Sequence, residues 1–128
     1  SAEQVSAVEE CLQADPADPQ AIKLCASAIQ ETSPTAPLLL KRALAYEADH
    51  QYAQALADFE HATEISKEKE DPKSAAKSEE EGQELSMGKA RVLLALGRFE
   101  QAETALQGMQ GAAELLKRIK GVAEKSKE

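Results

Sequence analysis

Tryptophan is absent, and only four aromatic residues occur in 128: Tyr46, Tyr52, Phe59 and Phe99. That scarcity argues against a sandwich or barrel, whose pleated faces draw on aromatic and β-branched side chains. No apolar run approaches the roughly 20 residues of a membrane span, and no basic-then-apolar leader opens the chain. Ser1 stands first without a methionine, as expected of a piece of a longer polypeptide. Two cysteines, Cys11 and Cys25, have no second pair beside them. They signal neither a zinc site nor a disulfide framework, and two small buried side chains are the expectation. They fit a cytoplasmic protein, with an oxidising lumen left open. Cations are also few: 15 Lys and Arg against 23 Asp and Glu leave a net charge of −8. That balance argues against nucleic acid as the general partner, because binding a phosphate backbone needs clustered cations. A local basic patch stays open.

Hydrophobic residues make up 42% and charged residues 30%, the balance of one folded domain with a modest core. Pro16, Pro19, Pro34 and Pro37 divide the first third, and Pro72 stands alone later. Between them lie segments rich in Ala, Leu, Glu, Gln and Lys, all good helix formers. Apolar residues recur at helical steps. Val5, Val8 and Leu12 mark 2–14; Leu24, Cys25 and Ile29 mark 20–32; Leu39, Leu40 and Leu44 mark 37–48; Leu56, Phe59 and Ile65 mark 52–65. Each predicts a helix of two to four turns, with connections short enough for antiparallel neighbours.

The helices repeat. Ala21, Cys25 and Ala28 align with Ala55, Phe59 and Ala62 at an offset of 34, and a third copy starts at Ala102, 47 beyond Ala55. The surplus falls in the polar stretch 66–84, where an insertion disturbs no core. A helix–turn–helix period of 34 resembles the tetratricopeptide repeat (TPR) family. Leu39, Ala43 and Tyr46 fall on the family's first-helix places, and Tyr52, Ala55, Phe59 and Ala62 on its second. The third copy supplies Ala90, Leu93, the turn glycine Gly97, Phe99 and Ala102. The first copy is degenerate, with Glu9 where a small residue is usual and Asp18 where an aromatic is usual.

The resemblance implies an all-α fold, a right-handed superhelix of antiparallel hairpins at about 2–34, 36–66 and 83–110. One such hairpin cannot bury its faces alone, and stacking completes the core. Segment 111–125 offers a covering helix, with Ala112, Leu115, Leu116, Ile119, Val122 and Ala123 on one stripe. The insert 67–82 has two readings. Asp71-Pro72 is a good helix start, so the first helix of the third repeat runs long and projects beyond the stack. Alternatively 67–82 is a mobile charged loop.

No nucleotide-binding, zinc-protease or nucleophile-elbow motif occurs, so no enzyme is expected. Nor is a cofactor or a metal: His50 falls in a turn and His61 on a helix, 11 residues apart. The resemblance implies a protein-interaction scaffold or adaptor whose first helices line a groove for a peptide or a partner helix. Groove residues are expected at Ser6, Glu10 and Gln13, then Leu40, Lys41, Leu44 and Glu47, then Glu84, Met87, Gly88, Arg91 and Leu94, with Lys41 and Arg91 as the cationic points.

Two alternatives stand beside it. A co-chaperone segment holding unfolded chain would expose Leu40, Leu44, Met87 and Leu94 as a strip. A structural subunit of an RNA–protein particle would use the basic end 117–128, whose plain reading is a solvated helix face. Related domains clamp the acidic carboxylate tails of heat-shock chaperones with Lys, Asn and Arg. Here the matching places hold Ser6, Glu10, Lys41, Glu84 and Gly88. Glu10 and Glu84 would repel such a tail, so an apolar or basic peptide fits better. A peptide carrying that acidic tail is expected to show no saturable binding by titration calorimetry.

Overall fold

Good helix formers, separated by proline-bearing loops in the first third of the chain, produce seven α-helices in the computed structural model, which describes residues 6–68, 75–107, 109 and 112–126. They are α1 (Ala7–Gln13), α2 (Ala21–Glu31), α3 (Ala36–Ala48), α4 (Tyr52–Glu68), α5 (Ala75–Ala95), α6 (Phe99–Leu106) and α7 (Ala113–Ser126). No strand occurs among the described residues. The fold is all-α and repeat-like.

Local chemistry explains the helix ends. The Ser6 hydroxyl accepts from the Glu9 N–H at 3.1 Å, and Glu9 and Glu10 complement the positive end of α1. Thr35 caps α3, with Pro37 in its first turn, where the missing N–H has no helical partner to lose. Asp15 and Asp18 each accept a backbone N–H two residues on, from Ala17 and Gln20, both at 2.9 Å. These Asx turns carry the chain from α1 to α2.

The turns after α3 and α5 share one geometry. The Gln51 N–H donates to the Tyr46 carbonyl at 2.9 Å, and the Arg98 N–H to the Leu93 carbonyl at 2.8 Å. The residue before each donor is left-handed: His50 at φ 60° and Gly97 at φ 78°. Both are Schellman ends. His50 and Gly97 lie 47 apart, the spacing of Ala55 and Ala102, so the repeat is present in the backbone as well as the side chains.

Each helix packs on the next, and α1 also meets α3, as α3 meets α5. Ala43 of α3 and Ala55 of α4 are fully buried. Small residues let paired helices approach until larger neighbours such as Leu39 and Phe59 fill the remaining space. One core cluster runs from α3 through α7, where Leu115 and Ile119 are buried, Leu116 packs beside them, and Ala112 just before the helix is buried too. Val122 and Ala123 have side chains outside the described set.

Beside the α3–α4 crossing, Arg42 donates to the Asp58 carboxylate through Nε and Nη2, at 2.7 and 2.9 Å. Asp58 is 6% exposed. The hydrogen bond to Asp58 holds the Arg42 guanidinium pKa above its ordinary value, although burial opposes it. The Arg42 carbon also lies 5.8 Å from the Tyr46 ring centroid. Nothing in the helical periodicity pointed to this pair.

Three expectations need correction. Cys11 and Cys25 are buried, but they form a disulfide with Cα atoms 4.7 Å apart. Two antiparallel helices bring residues 14 apart together, which their spacing along the chain does not show. Leu12 does not share the inward stripe with Val8: Cys11 takes the buried place and Leu12 is 41% exposed. The loop reading of the insert fails for its described part. Lys67 and Glu68 end α4, and 75–82 belong to α5. Asp71 and Pro72 lie outside the described residues, as does Val5.

Ala43→Glu or Ala55→Glu puts a carboxylate at a closed crossing and is expected to cost at least about 3 kcal/mol. Circular dichroism should show the cooperative melt lost or sharply lowered. Gly97→Ala should cost about 1 kcal/mol because its φ is positive, whereas His50→Gly should be neutral or gain up to about 0.5 kcal/mol. Chemical denaturation checks both.

Candidate functional site

The residues of α3 at 37, 40, 41 and 44 follow the helical steps that place them on one face. Pro37, Leu40, Lys41 and Leu44 there form the floor of a cleft of about 360 Å³. Leu12 of α1 lines one side. Glu80, Glu81 and Glu84 of α5 line the other. Glu80 and Glu81 belong to the helical extension from the insert, which therefore borders a cleft shared with α1.

Two cations expected to be available are engaged. The Lys41 ammonium donates to the Ala14 carbonyl at 2.9 Å, at the negative end of α1. Arg91 of α5 donates to the Glu47 carboxylate of α3 through Nε and Nη2, at 2.8 and 3.0 Å. The hydrogen bond to Glu47 raises the Arg91 pKa, burial opposes it, and the charges of Glu47 and Glu84 add to the rise. What remains in the cleft is an apolar floor under three carboxylates. Among the described side chains lining the cleft, their negative field is opposed by the Lys41 ammonium, one of whose N–H groups is taken by the Ala14 carbonyl.

Of the expected groove residues, Leu40, Lys41, Leu44 and Glu84 meet in this cleft. Glu47 and Arg91 pair outside its lining. Met87 and Leu94 are half-buried against the core, and Leu40 is buried. The expected exposed strip of Leu40, Leu44, Met87 and Leu94 is therefore absent. Ser6 serves as a helix cap, and Glu10 and Gln13 are exposed beyond the cleft. Gly88 is a correction: it is buried, and a Cβ there would overlap the Phe59 ring.

Four lining residues escaped the sequence reading: Leu12, Pro37, Glu80 and Glu81. The step from Pro37 to Leu40 and Leu44 could have revealed Pro37. Leu12 was hidden by fitting the same stripe as Val8, and the two glutamates by lying in an apparent insertion.

His50 sits in its left-handed turn, 5.8 Å from Tyr52 between ring centroids, and His61 is exposed on α4. Lys117, Arg118 and Lys120 are exposed on α7. Among the described residues no helix is long and apolar enough to cross a membrane, and no group of three or more His, Cys, Asp or Glu could hold a metal ion. No family model, curated protein or solved structure matches this chain.

Gly88→Ala is expected to destabilise by about 1–3 kcal/mol, because the Phe59 ring must move out of a filled core. Gly82→Ala on the same helix meets nothing within 4 Å and should gain about 0.5–1 kcal/mol. Paired urea titrations would show the opposite signs.

Proposed function

We propose that this protein is a non-enzymatic interaction module of the tetratricopeptide type. It binds a peptide segment carrying an apolar side chain flanked by lysine or arginine in the cleft between α1, α3 and α5. The observation that carries the reading is the composition of that cleft: Leu12, Pro37, Leu40 and Leu44 beneath Glu80, Glu81 and Glu84, with Lys41 held by the Ala14 carbonyl. An apolar side chain removed from water on that floor gains hydrophobic free energy. Flanking cations meet three carboxylates, which sets orientation and rejects acidic segments. The repeated turn geometry supports the tetratricopeptide reading, since both turns end on a left-handed residue at the 47-residue offset of Ala55 and Ala102, the 34-residue period plus the insert.

The partner is thus a protein or peptide, bound by a cleft already formed. Nucleic acid does not suit it, because a phosphate backbone would face the same carboxylates. The half-buried state of Met87 and Leu94 removes the main support for a holder of unfolded chain.

Fluorescence anisotropy with a labelled peptide of two leucines flanked by lysines tests this reading. Saturable micromolar binding is expected, and the same peptide with glutamate for lysine should not bind. Glu81→Lys/Glu84→Lys should weaken the lysine peptide at least about tenfold, since like charges then face each other. Equal binding of the two peptides would overturn the assignment.

A further inference from the structure

We propose that the Cys11–Cys25 disulfide is a redox latch on the cleft: it holds α1 in place, and reduction by a dithiol releases α1 and weakens binding of the basic, apolar segment. This rests on the cleft being the binding site.

α1 has only seven residues, well below the roughly 12–15 at which an isolated helix becomes even marginal in water. Its only buried residue is Cys11. The cluster around it is small: Cys11, Cys25, Ala28 and Leu38, with Ala7, Val8 and Ile29 partly buried against it. The middle hairpin is joined to the next by Phe59, whereas the first has Cys25 at the aligned place and no aromatic residue at all. Its hold on α1 comes from the disulfide, a few small apolar contacts and the bond from Lys41 to Ala14.

α1 contributes two things to the cleft: the Leu12 side and the carbonyl that engages Lys41. Losing α1 removes the first and frees the second. The released Lys41 ammonium then stands beside Glu80, Glu81 and Glu84 and competes with the ligand's own cations. Apolar contact and charge complementarity fall together.

The exchange balances. A thiolate of the dithiol attacks one sulfur and breaks the Cys11–Cys25 bond, forming a mixed disulfide. Its second thiol then displaces the remaining cysteine. Two electrons pass to the protein, the two protons of the dithiol end on the Cys11 and Cys25 thiols, and the dithiol leaves as a disulfide. Both cysteines are fully buried, so attack requires α1 to open first. Coupling is reciprocal: a ligand that α1 helps to hold must also slow reduction.

The full chain should be compared oxidised, reduced with dithiothreitol, reoxidised, and as Cys11→Ser/Cys25→Ser. Hydrogen exchange and anisotropy with the lysine-flanked leucine peptide are the readouts. On reduction, α1 amides should lose protection at least about tenfold while α3–α6 keep theirs. The peptide Kd should rise about tenfold. Reoxidation should restore both, the double variant should match the reduced form, and saturating peptide should slow thiol release. Unchanged α1 protection and Kd with both thiols titrated would overturn the latch. So would loss of protection throughout α3–α6, which would make the bond a staple of the whole fold. Failure of the oxidised protein to bind the peptide overturns the cleft reading instead, and shows before any reductant is added.

Discussion

The Phe59 ring occupies the joint between the second and third hairpins, and it fits because Gly88 opposite has no Cβ. The ring is fully buried, worth about 1.5–3 kcal/mol for removal from water alone. Its larger effect is geometric. With α5 seated on α4 at that distance, Leu85, Ala90 and Leu93 close into the core begun by Ala43, Ala55 and Ala62. The same seating brings Arg91 to Glu47 and sets Glu80, Glu81 and Glu84 across from Leu40 and Leu44. The packing of the core and the position of the cleft therefore share one contact between a large ring and a missing side chain.

The first hairpin is joined to the stack by other means. It has no aromatic to insert, its core is a small separate cluster, and Ile29 touches both that cluster and the main one. A covalent bond between α1 and α2 stands where other hairpins rely on buried area. This difference has a thermodynamic consequence. Packing is lost only with the fold, while a disulfide answers to the redox state around it. The disulfide thus lies at the end of the molecule that borders the cleft.

Much of the architecture was legible before any coordinates. Alanines at 43, 55, 62 and 102 marked helix crossings, since only a small residue suits a close approach, and all four are fully buried. The site was legible in part. Leu40, Lys41 and Leu44 were identified from their repeat places, because a helix face follows from periodicity. Their neighbours were not. Lys41 could be read as a charge, but its engagement by Ala14, 27 residues earlier, depends on where α1 ends. Arg91 and Glu47 were both named for the groove, yet their union across 44 residues cancels the charge that made Arg91 seem available.

The chain by itself determined the helices, their hairpin pairing, the turn positions at His50 and Gly97, and an acidic surface. These follow from spacing, propensity and charge, all local or periodic properties. Tertiary structure decided that Cys11 and Cys25 bond, that Gly88 lies under Phe59 and that Leu12 faces outward. It also decided that the acidic end of α5 borders the cleft. Each depends on the distance between elements far apart in the chain. That distance is set by how side chains of different helices fill shared space, which no single segment encodes.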